Sequence, residues 1–358
     1  MKLFSSATIR LLAVSILVGI GLTAQAREII DMAGRKVTVP NHITRVYGSA
    51  PPLNVLLYAL APDTMISVSF PFTDDDKRYI SPKVAALPVL GGVIGMGQQM
   101  EPETVKAAKP DIALAWKSPF TDQKKIEETF ARIGLPVVFV SMDTLDEWPA
   151  AITFVGKLLG REAKAKPLAD YVSQSLQKVG KAVAAIPENK RVRVYYAESG
   201  DGLATDCHRS FHTEPIELAG GYNVYRCEPK SHMGLERVSP EQILAFNPQI
   251  ILAQDSAAIA TIKSDPRWKN VQAVQDGRIY AIPRSPFNWL DRPPSFMRAL
   301  GIQWLANLFY PEAFPLQVHR ETRAFYKLFL GADLNHDDME RIFGSGSPMP
   351  AEHSGHAH

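Results

Sequence analysis

Cysteine is scarce in this chain, since only Cys207 and Cys227 occur among 358 residues. Two cysteines without a Cys-x-x-Cys pair exclude a zinc-ribbon site and a metal-storage protein with dense thiolate clusters. An excess of one charge is missing as well, because 39 Lys and Arg stand against 37 Asp and Glu, a formal net charge of +2. A nearly neutral chain argues against a nucleic-acid partner.

Sequence hallmarks of catalysis are also missing. The chain has no G-x-S-x-G nucleophile elbow and no H-E-x-x-H metalloprotease motif. Glu214 and Glu217 lie near His212 and could act as an acid–base pair. Acidic residues at a helix start are, however, explained by the positive end of the helix dipole. We therefore predict a protein that is not an enzyme and that needs no cofactor.

Long apolar runs are absent except near the start of the chain. Residues 11–22 are mostly apolar, basic residues precede them, and Ala24-Gln25-Ala26 places small residues at positions −3 and −1 of a cleavage site. This is the pattern of a secretory signal peptide over residues 1–26, so the mature chain is expected to begin at Arg27. No cysteine follows the cleavage site, which argues against a lipid anchor. We expect a soluble periplasmic protein.

Two stretches of the sequence repeat one another. MEPETVKAAKPDIAL at residues 100–114 corresponds to VSPEQILAFNPQIIL at residues 238–252, with Pro102 matching Pro240. In each copy a proline opens a short helix, a second proline ends it, and an apolar strand follows. Two copies so far apart predict two similar lobes rather than a stacked repeat array, and two facing lobes form a cleft for a small ligand.

The order of the elements predicts the fold class. Short apolar strands, among them residues 45–48 and 65–70, alternate with helices, which predicts α/β lobes with mostly parallel sheets flanked by helices. Between residues 150 and 185, apolar residues recur at helical spacing and only Pro167 interrupts them, which predicts a short helix and then one long connector helix. The predicted domains are a signal peptide (1–26), an N-terminal lobe (27–150), connector helices (151–187), a C-terminal lobe (188–343) and a disordered tail (344–358) that contains His353, His356 and His358.

Several segments, taken in order, resemble one family. They are DMAGRKVTVP at residues 31–40, the two repeats, the connector, and TEPIELAGGYNV at residues 213–224. Together they look like the helical-backbone class of periplasmic solute-binding proteins that serve ABC importers, whose members carry cobalamin, ferric siderophores, haem or other metal chelates. The resemblance covers nearly all of residues 28–343 and implies two rigid lobes that close only slightly on a ligand. Residues 105–116 are especially similar to the cobalamin branch, and NWLDRPPSFM at residues 288–297 to iron and metal-chelate branches.

The resemblance also implies a function and partners. We expect a binding protein that captures a metal complex, such as an iron–siderophore or a similar chelate, and delivers it as a monomer to a permease dimer with its ATPase. Molybdate or tungstate, cobalamin, haem and a nickel chelate remain alternatives of the same class. A metal-chelatase-like enzyme on the same fold is the alternative of another class. The sequence leaves the identity of the ligand open.

Glu103 and Glu241 hold matching positions in the two repeats, each in the first turn of a short helix. A carboxylate there is favoured by the helix dipole alone, by about 0.3–1 kcal/mol. The resemblance implies a second role, because the two residues match the family's paired docking acids, one per lobe, which meet arginines on the two permease subunits. Glu101 lies so close to Glu103 that the match in the first lobe could shift to it.

Loops at the carboxyl ends of the strands are expected to line the cleft. In the first lobe these include Gly97 and Gln98, in a glycine-rich loop, and Trp116 and Lys117, at the end of a strand. Trp116 could simply seal the edge of the sheet. An aromatic ring beside a cation also suits a planar or anionic chelate, so we include both residues in the predicted ligand site.

The corresponding loops of the second lobe are rich in arginine. The candidate ligand residues there are His208, Arg209, Tyr225, Arg226, Arg284, Asn288 and Trp289. Any single arginine can be a solvated surface charge. Arginine also pairs bidentately with carboxylates and oxyanions, so we expect at least one of the three to contact the ligand.

Cys207 and Cys227 lie in a span that also contains His208, His212 and His232. Soft and borderline ligands so close together could bind a metal directly. In an oxidising compartment we instead predict a Cys207–Cys227 disulfide, worth about 3 kcal/mol on loop-entropy grounds. His208 or His232 could still complete the coordination of a chelated metal.

Overall fold

The computed structural model describes residues 26–94, 98–229, 233–254 and 256–344. Nearly all of the predicted signal peptide and of the histidine-containing tail therefore lies outside the described residues. So do two of the predicted site residues, Gly97 and His232.

The described chain alternates strands and helices, as the sequence predicts. The strands are β1 (Ala26–Ile30), β2 (Lys36–Pro40), β3 (Val46–Gly48), β4 (Ile112–Lys117), β5 (Val137–Ser141), β6 (Arg193–Ala197), β7 (Ala204–Thr205), β8 (Tyr222–Asn223), β9 (Glu236–Arg237), β10 (Ile250–Ala253) and β11 (Ile279–Ala281). The helices are α1 (Pro51–Leu60), α2 (Pro82–Ala85), α3 (Pro102–Ala107), α4 (Gln123–Arg132), α5 (Trp148–Leu158), α6 (Glu162–Ala184), α7 (Glu214–Leu218), α8 (Pro240–Phe246), α9 (Ser256–Ser264), α10 (Gln272–Gln275), α11 (Arg298–Phe309), α12 (Val318–Leu330) and α13 (His336–Phe343).

Lobe one is built on the parallel sheet β3-β4-β5. Strands β4 and β5 are buried almost throughout, which is typical of a parallel sheet covered on both faces. The strand predicted at residues 65–70 is wrong, since Met65 and Val68 form only isolated bridges. The backbone of this segment bonds to Val46 on one side and to Pro88 on the other, so no continuous ladder forms.

Lobe two contains a four-stranded parallel sheet in the order β11-β10-β6-β8. Strand β10 is central, pairing with β6 on one side and β11 on the other. A short antiparallel pair, β7-β9, lies outside this sheet. The prediction of two α/β lobes with mostly parallel sheets is confirmed.

The sequence repeat corresponds to α3-β4 in lobe one and α8-β10 in lobe two. Pro102 and Pro240 each occupy the first helical position, as predicted. Each helix is followed by a residue with left-handed backbone, Lys109 with φ 50° and Asn247 with φ 39°. A proline comes next in both copies and prevents the helix from continuing.

The connector consists of α5 and α6, but the break between them is not at Pro167. The break follows Leu158, where Gly160 takes a left-handed φ of 65° that favours glycine. Pro167 lies inside α6 and is exposed, so the carbonyl that it leaves without a helical partner can be solvated. The long predicted helix is therefore present, with its start a few residues earlier than expected.

One hydrophobic core runs through both lobes and includes Val46 of β3, Val194 of β6 and Phe325 of α12. The C-terminal helices also contact lobe one, because Tyr58 of α1 donates a hydrogen bond to the Leu330 carbonyl at 3.4 Å. The lobes are thus held together by more than the connector. Among the described residues, no helix combines the length and apolar character needed to cross a membrane.

Candidate ligand cleft between the lobes

A pocket of about 130 Å³ lies between the two lobes, and we call it the central pocket. Lobe one contributes Pro51, Pro52, Phe70 and Trp116 to its wall. Lobe two contributes Phe211, His212, Met233, Arg292, Pro293 and Pro294. Lobe one therefore supplies apolar surface, whereas lobe two supplies both an imidazole and a guanidinium.

Aromatic rings close the central pocket on one side. Trp116, near the end of β4, is only 4% exposed and meets Phe211 of lobe two edge-on, with ring centroids 5.9 Å apart. Phe211 lies against the His212 ring at 3.9 Å, and Phe120 approaches Phe211 from lobe one at 6.3 Å. These rings join the lobes and limit the access of water to the His212 side of the pocket.

Two larger crevices adjoin the central pocket. The first, of about 520 Å³, includes His208, Arg209 and Glu214 in its wall, and we call it the Arg209 crevice. The second, of about 610 Å³, includes Arg284 and Asn288, and we call it the Arg284 crevice. The Arg284 crevice shares Phe70, Arg292 and Pro293 with the central pocket, so the two spaces lie side by side.

His212 is the imidazole of the central pocket, and its side chain is 7% exposed. Its Nδ1 is hydrogen-bonded to the Asp291 carboxylate, which is completely buried. Burial opposes the imidazolium, but the Asp291 charge outweighs burial and raises the pKa of His212. Conversely, burial acts to raise the pKa of Asp291, but the charges of His212, Arg298 and Arg292 prevail and lower it. The pair therefore favours a positively charged His212.

Arg292 is the guanidinium of the central pocket, with 11% of its side chain exposed. Its Nη2 lies 3.1 Å from Glu198 Oε2 and 3.5 Å from Asp206 Oδ2, and its Nε lies 3.7 Å from Asp291 Oδ2. The backbone of Arg292 has φ 60°, which is uncommon for a residue with a Cβ and fixes where the side chain points. Burial raises the pKa of Glu198 to about 7, although Arg292 acts to lower it.

Arg298 and Glu214 join lobe two to lobe one behind the pocket, and we call this pair the inter-lobe latch. The buried Arg298 donates to the Asp143 carbonyl of lobe one at 3.1 Å and lies 3.1 Å from Asp291 Oδ1. Glu214 accepts the Leu145 backbone N–H of lobe one at 3.0 and 3.1 Å. Burial raises the pKa of Glu214 to about 7, against the lowering effect of Arg298.

The structure brings one predicted residue of lobe one, Trp116, into the central pocket. Lys117 instead donates from Nζ to the Met32 carbonyl at 3.3 Å, in the turn that joins the antiparallel strands β1 and β2. The Gln98 side chain is exposed, and the Gln98 carbonyl accepts the Gly92 N–H at 3.0 Å. Gly97 lies outside the described residues, so its ligand role stays a prediction.

Four residues of lobe two that the sequence predicts as ligand contacts do not line the central pocket formed by the described residues. The His208 ring borders the Arg209 crevice, and its Nδ1 accepts the Cys227 N–H at 3.1 Å. Arg209 forms an ion pair with Glu228. Tyr225 and Arg226 bond to Glu236 Oε2 at 3.0 Å and Glu217 Oε1 at 2.6 Å, respectively. Ligand contacts by these four residues stay predictions; His208 and Arg209 border the Arg209 crevice, whereas Tyr225 and Arg226 border neither crevice as described.

The predicted segment at residues 284–289 divides between the Arg284 crevice and the core. Arg284 and Asn288 line the crevice, and Asn288 Oδ1 also accepts the Asp291 N–H at 3.1 Å, which shapes the loop before Arg292. Trp289 is fully buried and packs edge-on against Trp304 at 6.2 Å. A ligand contact by Trp289 conflicts with this burial, so we assign it to the core.

The predicted disulfide is present between Cys207 and Cys227, with Cα atoms 5.1 Å apart. Glu236 lies beside it, with Oε1 3.7 Å from the Cys207 sulfur. Among the described residues, these three form a cluster of side chains of the types that can bind a metal ion. The disulfide, however, leaves no thiolate to bind one. The metal role of His208 and His232 stays a prediction, since His232 is not described.

Glu103 and Glu241 are both exposed in the first turn of their helices, as the repeat predicts. Glu103 lies 3.9 Å from Lys106 on the same helix. A hydrogen bond from Ser239 lowers the pKa of Glu241. Both carboxylates are therefore available to a partner on the outer surface, and neither borders the central pocket as it is described.

Sequence reasoning did not select His212 or Arg292, the two cationic groups of the central pocket. A signal for Arg292 was present, because Asp291-Arg292 is a charged pair inside the otherwise mostly apolar NWLDRPPSFM segment. Charged residues in such a segment are buried only when they are paired, which marks them as a candidate site. No comparable local pattern identifies Glu198, since its partners lie far away in the sequence.

Comparison with known proteins gives consistent matches. A family profile described as "Periplasmic binding protein" matches residues 58–286. A solved ABC transporter solute-binding protein from Sulfurospirillum deleyianum is 38% identical, covers 88% of this chain and 99% of its own, and superposes with a TM-score of 0.84. The molybdate-binding protein MolA of Haemophilus influenzae is 26% identical over 92% of this chain and 99% of its own length. The Fe(3+)-citrate-binding protein YfmC of Bacillus subtilis is 23% identical over 58% of this chain and 64% of its own length.

Proposed function

The chain belongs to the periplasmic binding protein family, and from this we propose that it is the periplasmic receptor of an ABC importer for a compact metal oxyanion. The solute would bind in the central pocket and be handed unchanged to a permease dimer powered by its ATPase. On this proposal the protein is secreted through the signal sequence at residues 1–26, acts as a monomer and catalyses no reaction. The chemistry of the pocket supports an oxyanion of the molybdate type.

The size and charge of the central pocket carry this proposal. Its volume of about 130 Å³ is below the roughly 300–1,000 Å³ typical of sites for drug-sized molecules. A tetrahedral oxyanion is compatible with such a space, whereas cobalamin is far larger. His212 and Arg292 offer hydrogen-bond donors of positive charge, and the surrounding rings and prolines reduce the screening of that charge by water. The similarity to MolA along most of both chains supports the same solute class.

Titration calorimetry on the mature protein tests the proposal with sodium molybdate, sodium tungstate and sodium sulfate. We expect Arg292→Ala to weaken molybdate binding at least about tenfold, because a charge-assisted hydrogen bond is worth about 1.5–3 kcal/mol. Arg292→Lys should be intermediate, since it keeps the charge and loses the planar fork.

Arg209→Ala is the matched control, because Arg209 is an exposed arginine of lobe two paired with a glutamate. It should leave molybdate affinity within about twofold of the wild type, since exposed ion pairs contribute little. If Arg209→Ala weakens binding and Arg292→Ala does not, the solute site is the Arg209 crevice, and the central-pocket assignment is wrong.

A ferric chelate is the second candidate, favoured by the Arg284 crevice. Its volume of about 610 Å³ would admit an organic chelator, and Arg284 could pair with a chelator carboxylate. The partial similarity to YfmC is in line with this solute. Arg284→Ala should then weaken the binding of ferric citrate and leave molybdate binding unchanged. Ferric citrate that binds no better than citrate alone would rule this candidate out.

Docking onto the permease is assigned to Glu103 and Glu241. Their equivalent, exposed positions on the two lobes suit a two-fold transporter that reads the same charge twice. Changing both residues to Ala should lower uptake in cells and leave solute affinity in the isolated protein unchanged. Normal uptake by the double variant would contradict the docking role, and lost affinity would contradict the location of the cleft.

A further inference from the structure

Among the residues that the structure describes, the charges of the ion-pair network that contains Arg292 do not balance if all of its members are ionised. The described cations of this network are His212, Arg292 and Arg298. The carboxylates are Glu198, Asp206, Asp291 and Glu214. Unbalanced charge in a buried site is costly, because little water is present to solvate it. One of the four carboxyl groups is therefore expected to hold a proton readily.

Two of these carboxylates have an oxygen that lacks a hydrogen bond. Glu198 Oε1 and Asp206 Oδ2 are both buried without a hydrogen-bond partner among the described residues. They lie on the same guanidinium, since Arg292 Nη2 is 3.1 Å from Glu198 Oε2 and 3.5 Å from Asp206 Oδ2. A single arginine thus serves two carboxylates, and neither is fully satisfied by it.

We propose that the solute binds together with one proton and that Glu198 is the residue that takes up this proton. The proposal rests on the function proposed above, in which an oxyanion enters the central pocket beside Arg292. The anion then competes with Glu198 for the guanidinium charge. Protonation of Glu198 removes this competition, and it also removes the repulsion between two anions in one buried site.

Glu198 is the carboxyl group of this network best placed to take up a proton beside Arg292. Burial raises the pKa of Glu214 to about 7 as well, but Glu214 accepts the Leu145 N–H and pairs with Arg298 rather than with Arg292. Asp291 is held ionised by His212 and Arg298. Burial raises the pKa of Asp206, but Asp206 also accepts the Cys207 N–H at 3.1 Å, which favours its charged form. Among the described residues, Arg292 donates a side-chain hydrogen bond to Glu198. The Glu198 side chain is 0% exposed.

The titration of Glu198 fits this role. Burial raises its pKa to about 7, and the charges of Asp206 and Asp291 also act to raise it, whereas those of Arg292 and His212 act to lower it. The neighbouring Tyr195 and Tyr196 of β6 remain neutral at this pH, because burial raises the pKa of each phenol. A nearby anion would raise the pKa of Glu198 further, so binding near neutral pH draws in a proton.

The consequence is a receptor whose affinity depends on pH in a predictable direction. Below pH 7, Glu198 is mostly neutral and no longer competes with the oxyanion for Arg292. Above pH 7, binding must first protonate Glu198, so affinity falls by up to about tenfold per pH unit. Molybdate itself remains a dianion between pH 6 and 8, so this dependence would come from the protein.

Calorimetric titration of the mature protein with sodium molybdate at pH 6, 7 and 8 tests the inference. Each pH is measured in two buffers of different ionisation enthalpy, which counts the protons taken up. For the wild type we expect close to one proton at pH 8, little uptake at pH 6, and an affinity up to about tenfold weaker at pH 8 than at pH 6. Glu198→Gln should bind with the same affinity at pH 6 and 8 and take up no proton.

Glu217→Gln is the matched control, since Glu217 is a partly buried glutamate of lobe two that is paired with an arginine and has a raised pKa. It does not border the central pocket as described, and it should keep the wild-type pH dependence. Wild-type affinity that is equal at pH 6 and 8, with no buffer effect, would overturn the inference and leave the oxyanion function standing. Proton uptake that persists in Glu198→Gln would overturn the role of Glu198. No binding of molybdate or tungstate at any pH would overturn the proposed function, and the inference with it.

Discussion

The two lobes share one architecture but contribute differently to the cleft. Each has a parallel sheet entered by a short proline-initiated helix, α3 in lobe one and α8 in lobe two. At the central pocket, lobe one presents prolines, Phe70 and Trp116, whereas lobe two presents His212 and Arg292. On the function proposed above, lobe two would select the solute by charge, while lobe one would cover it and exclude water.

The lobes also differ in how they stabilise a buried carboxylate. In lobe one, Asp31 accepts three backbone N–H groups and the guanidinium of Arg35, which is 24% exposed. In lobe two, Asp291 depends mainly on charged side chains, among them the fully buried Arg298. A carboxylate satisfied by the backbone tolerates the loss of its arginine better than one satisfied by buried charges.

The largest expected effect comes from removing these two arginines. Arg298→Leu leaves Asp291 short of a cation and breaks the inter-lobe latch, so it should lower the free energy of unfolding by about 3–5 kcal/mol. Arg35→Leu should cost only about 1–2 kcal/mol, because the backbone donors to Asp31 remain. Urea unfolding of both variants measures the difference. Equal costs would contradict the proposed contrast between the lobes.

Buried carboxyl groups of lobe two should determine how the free energy of unfolding depends on pH. The pKa values of Glu198 and Glu214 are about 7 in the folded protein and about 4.5 in an unfolded chain. Between these values the folded state holds protons that the unfolded state has released, so the unfolding free energy falls as pH rises from 4.5 to 7. His212 acts in the same direction at higher pH, because its pKa is raised from 6.5 and its contribution to stability is lost only as the pH rises above that value.

Each of these two glutamates could change the unfolding free energy by as much as about 3 kcal/mol across that window. Denaturant unfolding at pH 5 and pH 8 measures the sum. The double variant Glu198→Gln/Glu214→Gln should flatten the dependence. A wild-type protein that is more stable at pH 8 than at pH 5 would show that these carboxyl groups are not buried as described.

Helix capping should cause a smaller difference in stability between the two copies of the repeat. Ser239 caps α8 in a capping box with Gln242, whereas Glu101 precedes α3 without a side-chain cap. Ser239→Ala should therefore destabilise the protein by about 1 kcal/mol, and Glu101→Ser should stabilise it by a similar amount. Thermal unfolding of the two single variants tests this prediction. Unfolding temperatures that shift in the same direction in both variants would contradict it.

The smallest expected effect concerns the residue after each helix. Lys109 and Asn247 both have left-handed backbone, which asparagine adopts more readily than lysine. Lys109→Asn should stabilise the protein by a few tenths of a kcal/mol. Asn247→Lys should destabilise it by more, because Asn247 Oδ1 also accepts the Gln272 N–H at 2.8 Å. Denaturant midpoints of the two variants compare the lobes directly.

The repeat made the fold predictable, because proline position and apolar strands are local signals. Two local details of the fold could not be predicted correctly from the sequence. The sequence predicts the break of the connector at Pro167, but the positive φ of Gly160 ends α5, and an exposed proline is tolerated within α6. The segment at residues 65–70 has strand-like composition, yet its backbone partners lie on two different segments.

The site was harder to predict than the fold, because charge networks form between distant positions. Trp116 was found from its place at a strand end. Arg209 and Arg226 were selected from the sequence instead of Arg292, but they pair with Glu228 and Glu217, which do not border the central pocket as described. Only the packing of the loop before α11 against β6 brings Arg292 to Glu198, 94 residues away.

The hydrogen bond between Tyr58 and Leu330 joins positions 272 residues apart. Tyr79 of lobe one and Tyr326 of α12 add an edge-on ring contact at 5.7 Å. Lobe one therefore lacks part of its own packing surface until nearly the whole chain has been synthesised. Contacts of such long sequence separation slow folding, because a large loop must close before they form. The nascent N-terminal lobe should remain loosely packed and open to proteases until α12 arrives.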